Sequence, residues 1–146
     1  MSELEEQYLR RAIELAKDNV AAGDQPFGAV VVVDGSVVGE GVNGVERGGD
    51  PTDHAEVAAI RAACRALDRL ELADATLFSS AQPCPMCHGA AVLVGIRRTA
   101  YAAGGAVVAR AGFALPEVAE SSKFEHVEID GAEEPFERWL RRARRS

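Results

Sequence analysis

FGAVVVVDGSVVGEGVN, residues 27–43, settles the architecture more firmly than any other part of the chain. Two β-branched runs flank Asp34-Gly35. A two-residue loop of this type favours positive φ at both positions, and the turn it makes has the twist that paired strands require. The stretch predicts a β-hairpin. On its N-terminal side, Leu4, Tyr8, Ala12, Leu15 and Ala16 fall on one stripe at helical spacing. An amphipathic helix therefore leads into the hairpin, and AAGDQP ends it. On its C-terminal side, GVERGGDPTD reads as a polar loop. HAEVAAIRAACRAL follows as a helix, with Val57, Ile60, Cys64 and Leu67 as its apolar stripe. Further on, ATLFSS predicts a strand, CPMCHGAAVLVG a buried helix ended by Gly95, and RRTAYAA a strand. AGGAVVARAG predicts a short helix or loop, and FEHVEI alternates like a strand. EEPFERWLRRARR predicts a terminal helix, residues 132–145 or so, with Phe136, Trp139 and Leu140 on its apolar side.

Strands alternating with helices after a hairpin predict an α/β fold, a mixed sheet covered by helices on both faces. No repeat, low-complexity linker or composition break divides the chain, so residues 1–146 are expected to form a single domain. A length of 146 residues is enough to bury a sizeable core, and 47% hydrophobic with 27% charged residues is the balance of a soluble globular protein. The net charge of −7 argues against a protein whose main task is to grip nucleic acid through its phosphates. No stretch is long and apolar enough to cross a bilayer, and MSELEEQYLRRAIELAK is charged throughout. A cytoplasmic protein is expected, with no membrane partner. In that compartment three cysteines do not suggest a disulfide framework.

Two of those cysteines, Cys84 and Cys87, sit at a predicted strand-to-helix junction in SSAQPCPMCHGAA. Three chemistries compete for such a pair: redox exchange, half of a structural zinc site, or part of a catalytic metal site. Zinc takes four ligands, and the chain has no second Cys-x-x-Cys to complete a Cys-rich structural site. Cys64 lies mid-helix on an apolar stripe and reads as a small core residue. A third ligand must then be a histidine. His88 and His126 read as ordinary surface or core residues, whereas His54 opens a helix with Glu56 two positions on. From the first turn both side chains can aim at one point beyond the helix end. The Cys84 helix starts there too if the strands before the two helices lie parallel and adjacent. Three protein ligands leave one coordination position open, the mark of a catalytic zinc. A carboxylate beside the metal but not on it, Glu56, can then take and pass on a proton. The competing reading of Glu56 is a capping box, Asp53-x-x-Glu56.

His54-Ala55-Glu56 followed by Pro83-Cys84-Pro85-Met86-Cys87 resembles the H-x-E…P-C-x-x-C pattern of zinc deaminases. QPFGAVVV, NGVERGGDPTDHAEVAAIRAAC, PCPMCHGA and YAAGGAVVARAGF extend the resemblance over most of the chain. The sequence is similar to the cytidine deaminase superfamily, most of all to the branch of bacterial guanine deaminases and tRNA adenosine deaminases. The resemblance implies a three-layer α/β/α sandwich with a central mixed sheet. It implies zinc held by His54, Cys84 and Cys87, and hydrolytic removal of an amino group from a nitrogen heterocycle with Glu56 as proton shuttle. It further implies that Asn43 hydrogen-bonds the base, that Phe27 walls the pocket and that the Ala55 amide contacts a ring substituent. The C-terminal helix would close the site through Phe136, Glu137 and Trp139, in some relatives across a homodimer. The sequence departs from guanine deaminases at Gln82 (usually Glu), at Val92-Leu93 (usually aromatic) and at Ala114-Leu115 (usually acidic). The last two departures are expected to trim the purine pocket and favour a smaller cytosine-like or triazine ring over guanine. The arginines from Arg138 to Arg145 read as a solvated helix face. Two other readings stay open: a tRNA deaminase, which would need a basic surface, and a zinc-stabilised binding module without catalysis.

Overall fold

The computed structural model describes residues 1–116 and 125–144. Helix α1 (Glu3–Ala21) leads into the hairpin of β1 (Gly28–Val33) and β2 (Ser36–Val42). A one-turn helix α2 (Val45–Gly48) and the longer α3 (Ala55–Leu67) follow, then β3 (Ala75–Ala81), α4 (Pro85–Leu93) and β4 (Arg98–Ala103). Helices α5 (Gly105–Arg110) and α6 (Glu134–Arg144) complete the described elements. Among the described residues the sheet has the order β2-β1-β3-β4. The β1–β2 and β1–β3 pairs are antiparallel and β3–β4 is parallel, so the sheet is mixed as expected. The hairpin turn has φ 49° at Asp34 and 76° at Gly35, the positive pair that Asp-Gly favours.

Every residue of β1 is buried, because both faces of the sheet are covered. Ala29, Val31 and Val33 pack with Ala55, Ala59 and Ile60 of α3 on one face. Val30 and Val32 pack with Leu9 of α1 and Phe78 of β3 on the other. Tyr8 stacks at a tilt on Phe78, ring centroids 5.2 Å apart, and donates its hydroxyl to the Gly35 carbonyl at 2.5 Å. The result is the three-layer α/β/α sandwich.

Five local expectations change. The polar loop GVERGGDPTD contains the one-turn α2. The buried line of α1 is Leu9, Ala12, Ala16 and Asn19, while Leu4 is exposed and Tyr8 and Leu15 are half-buried. Ala12 and Ala16 form the line of closest approach to the sheet, and contact extends from them to Leu9 and Asn19. The buried line of α3 is likewise Ala55, Ala59 and Ala63 with Ile60, and Val57, Cys64 and Leu67 are only half-buried. Small residues lie innermost because α3 almost touches β2. A Cβ on Gly41 would overlap the Ala55 carbonyl oxygen and the Ala59 amide nitrogen. Helix α4 is not a buried helix: Cys87 and Ala91 face inward, but Val92 and Leu93 are 63% and 85% exposed. Residues 125–129 form no strand, and Phe124 of FEHVEI lies outside the described residues. Alternation is not sufficient without a neighbour to complete the ladder, and Val127 and Ile129 are exposed. No described helix is long and apolar enough to cross a membrane.

Candidate active site

Two helix starts meet at one edge of the sheet. Strands β2 and β3 both run antiparallel to β1, so they are parallel to each other with β1 between them. The expected parallel arrangement is present, but the two strands are not adjacent, because the hairpin partner β1 occupies the centre. The chain leaving β2 reaches α3 at His54, and the chain leaving β3 reaches α4 at Cys84. Each of these residues is the extended-backbone cap of its helix, with ψ of 150° and 169°. Neither side chain caps its own helix, so both are free to point outward. Pro85 starts α4, where its missing N–H is no loss. Cys87, one turn on, is buried.

The three ligand atoms converge. His54 Nδ1 lies 3.5 Å from Cys84 Sγ and 3.4 Å from Cys87 Sγ, and the two sulfurs are 3.6 Å apart. A tetrahedral zinc with bonds of about 2.3 Å to sulfur and about 2.0 Å to nitrogen sets sulfurs about 3.8 Å apart and nitrogen about 3.5 Å from each. The observed triangle fits that edge geometry, and it is the one such group of His, Cys, Asp and Glu among the described residues. The protonation balance points the same way. Hydrogen bonds from Cys87 and His54 bring the Cys84 thiol down to about 4. The hydrogen bond to Cys84, then burial and the nearby Glu56, push the Cys87 thiol up. Without a cation only one of the two sulfurs ionises readily, and a divalent ion relieves that conflict.

Glu56 is 5% exposed and lies beside this triangle without belonging to it. Burial raises its carboxyl above the usual range, against the opposing pull of its own backbone amide and Cys87. The capping-box reading does not hold. His54, not Asp53, is the cap, which puts Glu56 at the second helical position rather than the third. The Asp53 carboxylate instead lies where a side chain on Gly44 would be.

A cavity of ≈ 230 Å³ opens in front of the triangle, lined by His54, Glu56 and Cys84 together with Phe27 and Asn43. Asn43 is buried, and its Oδ1 accepts from the Val45 N–H at 2.9 Å. Phe27 meets Phe113 edge-on, ring centroids 5.1 Å apart. Ala55 is buried as the first residue of α3, where backbone N–H groups have no helical partner. Glu137 and Trp139 do not line this cavity; they lie on α6, whose Phe136, Trp139 and Leu140 are exposed. Of the departures noted in the sequence, Ala114 and Leu115 line the cavity, whereas Val92 and Leu93 do not. Gln82 joins the wall and accepts from the Gly105 N–H at 3.0 Å, tying the end of β3 to the start of α5. Sequence reasoning missed Gln25, Val108 and Phe113 as wall residues. An aromatic in the glycine-flanked AGF stretch was the available signal for Phe113. Gln25 and Val108 gave none, since neither carries a spacing tied to the metal.

Known proteins supply an independent comparison. A family model described as the cytidine and deoxycytidylate deaminase zinc-binding region matches residues 2–103. The chain is 48% identical over 109 residues to the guanine deaminase of Bacillus subtilis (strain 168), covering 74% of this chain and 70% of that protein. It is 32% identical over 144 residues to the tRNA-specific adenosine deaminase of Aquifex aeolicus (strain VF5), covering 95% of each. The X-ray structure of guanine deaminase from Bacillus subtilis superposes with a TM-score of 0.83 at 39% identity, over 97% of this chain and 95% of that one.

Proposed function

The chain belongs to the cytidine and deoxycytidylate deaminase family of zinc-dependent enzymes, and from that premise we propose that it hydrolyses the amino group from a free nucleobase or a close analogue. The observation that carries the reading is the His54–Cys84–Cys87 triangle with an unligated buried acid beside it at the mouth of a base-sized cavity. His54 Nδ1 and the two sulfurs would hold the ion, which supplies Lewis acidity toward water at neutral pH. Glu56 would take a proton from the attacking water and deliver it to the ring nitrogen, then take the second proton from the new hydroxyl and give it to the departing amine. Water adds at the amino-bearing carbon, the C–N bond breaks, and ammonia leaves with a carbonyl left on the ring. The raised affinity of Glu56 for a proton suits both halves of that relay. Asn43 uses its Oδ1 on Val45, so it offers its Nδ2 to the base and selects for a carbonyl or ring-nitrogen acceptor. Phe27 and Phe113 give the ring an apolar wall.

Ring size is the finer question. Ala114 and Leu115 offer no carboxylate to a purine N–H, and Glu56 is the one acid lining the cavity among the described residues. That wall favours a cytosine-like or amino-triazine ring over guanine. Guanine is the second reading, supported by the likeness to guanine deaminase. A tRNA substrate fits less well with a net charge of −7. We also propose a homodimer in which α6 of one copy closes the cavity of the other, which would bring Glu137 and Trp139 to a base. The deciding experiment is ammonia release by zinc-loaded protein with guanine, cytosine and ammeline, an amino-triazine. Preference for cytosine or ammeline supports the trimmed pocket, fast selective turnover of guanine replaces it with the second reading, and release from none of the three removes the free-base assignment.

A further inference from the structure

Asn19 is a polar residue in a place the reaction does not explain. It lies on the buried line of α1, 3% exposed, and does not line the cavity. Its carboxamide is nonetheless fully engaged. Nδ2 donates to the Gln25 carbonyl at 2.7 Å and to the Asn43 carbonyl at 2.8 Å. Oδ1 accepts from Arg47 Nη2 at 3.0 Å, and the same nitrogen donates to the Asn43 carbonyl at 3.0 Å. Asp24 fixes the other end of this group. Its carboxylate accepts from the backbone N–H groups of Gln25, Glu46 and Arg47 at 2.8, 3.1 and 3.0 Å and pairs with the Arg47 guanidinium.

The two segments joined here both contribute to the wall of the cavity. Gln25 and Phe27 come from the loop before β1, and Asn43 comes from the end of β2. The backbone already links them once, through the Asn43 N–H to the Phe27 carbonyl at 3.1 Å. The next peptide is anchored elsewhere, its Gly44 N–H donating to the Asp53 carbonyl at 2.9 Å, and the carboxamide of Asn19 is the contact that ties the Asn43 carbonyl to α1 and to the loop before β1. Holding that carbonyl fixes the backbone of residue 43 and with it the Cα–Cβ direction, and the Val45 N–H on Oδ1 then sets the rotamer of the carboxamide. We infer that Asn19 is a positioning residue: it clamps the loop before β1 to the end of β2 and so aims the Asn43 carboxamide at the base, with Arg47 as the second arm of the clamp. The inference rests on the proposed contact between Asn43 and the base. None of these hydrogen bonds reaches His54, Cys84 or Cys87, so the clamp acts on how the base sits rather than on the metal ligands.

Asn19→Leu keeps the volume and removes every hydrogen bond of the carboxamide. With guanine, cytosine and ammeline as substrates, KM is expected to rise about tenfold, the scale of one lost buried hydrogen bond. The value of kcat and the bound zinc should change little. In an Asn43→Ala background the same substitution should add almost nothing to KM, because the group it aims is gone. A purely structural role would lower the melting temperature and leave KM alone. Arg47→Ala removes a partly exposed side chain and tests the clamp if Asn19→Leu does not fold; KM should rise in the same direction. Unchanged KM in the foldable variant while Asn43→Ala raises it overturns the clamp alone, as does full additivity of the two substitutions. Unchanged KM in Asn43→Ala itself overturns the contact with the base, and the clamp falls with it.

Discussion

Glu56 combines two properties that rarely meet in a structural carboxylate. It is buried at the second position of a helix, where the helix dipole favours a negative charge, yet burial holds it toward the protonated form. No ion pair compensates it in the described residues, so its retention there makes sense as chemistry rather than as packing. Glu56→Gln keeps the shape and removes the proton exchange. We expect ammonia release to fall by about 10²–10⁴-fold, the contribution of a positioned general acid–base. Bound zinc, measured by metal analysis, should remain at one ion per chain. Loss of zinc together with activity would mean that Glu56 supports the metal site instead, and undiminished ammonia release would mean that another group carries the proton. The metal ligands were legible at this scale because a Cys-x-x-Cys and an H-x-E have fixed spacings that only one ion can unify. Asn43 was legible only through resemblance. Asn19 was not legible at all, since periodicity assigns a face to a residue but cannot tell a clamped buried amide from a solvated one.

The elements matter for the heights at which they deliver these side chains. Helix α3 rests on β2 through alanines, and the closest point is Gly41 under Ala55 and Ala59. That contact lies directly beneath the first turn, which carries His54 and Glu56. Gly41→Ala must therefore lift the turn or bend β2. The expected cost is about 1–3 kcal/mol of stability, as for an overpacked core. Zinc should also bind more weakly, because the nitrogen moves relative to two sulfurs that α4 holds in place. Urea titration and competition with a zinc chelator measure the two effects. A variant with wild-type stability and zinc affinity would show that the contact does not set the height of α3. The hairpin and the order of the longer helices and strands as far as β4 could be read from the sequence, because Asp34-Gly35 and the β-branched runs act locally, whereas the one-turn α2 inside the expected polar loop could not. The faces of α1 and α3 were read one or two positions off. Their innermost residues are alanines, chosen by glycines far along the chain in the partner strand, and a moment based on large apolar side chains points away from them. The fifth expected strand failed for a related reason: FEHVEI has the alternation, but pairing is a property of its neighbours.

At the scale of the whole molecule, the unmatched surfaces of this chain suggest what completes the site. Helix α6 exposes Phe136, Trp139 and Leu140 along one side, and all of its residues 134–142 are exposed. Val92 and Leu93 of α4 are exposed as well. Isolated apolar side chains on a surface need no explanation, but an amphipathic helix with an unpacked apolar side does. Removing residues 132–146 should leave the melting temperature and the zinc content near their wild-type values, because residues 132–142 contribute no buried core residue. It should lower kcat/KM by about tenfold or more, the scale of a lost positioning element. Complementation decides where α6 acts. A full-length Glu56→Gln chain lacks the proton relay but has the helix, and the truncated chain has the relay but lacks the helix. If α6 closes the neighbour's cavity, the two inactive or weak proteins regain deaminase activity when refolded together. If α6 closes its own cavity, the mixture shows no more activity than its parts, and the exchanged arrangement is excluded even if the protein is a dimer.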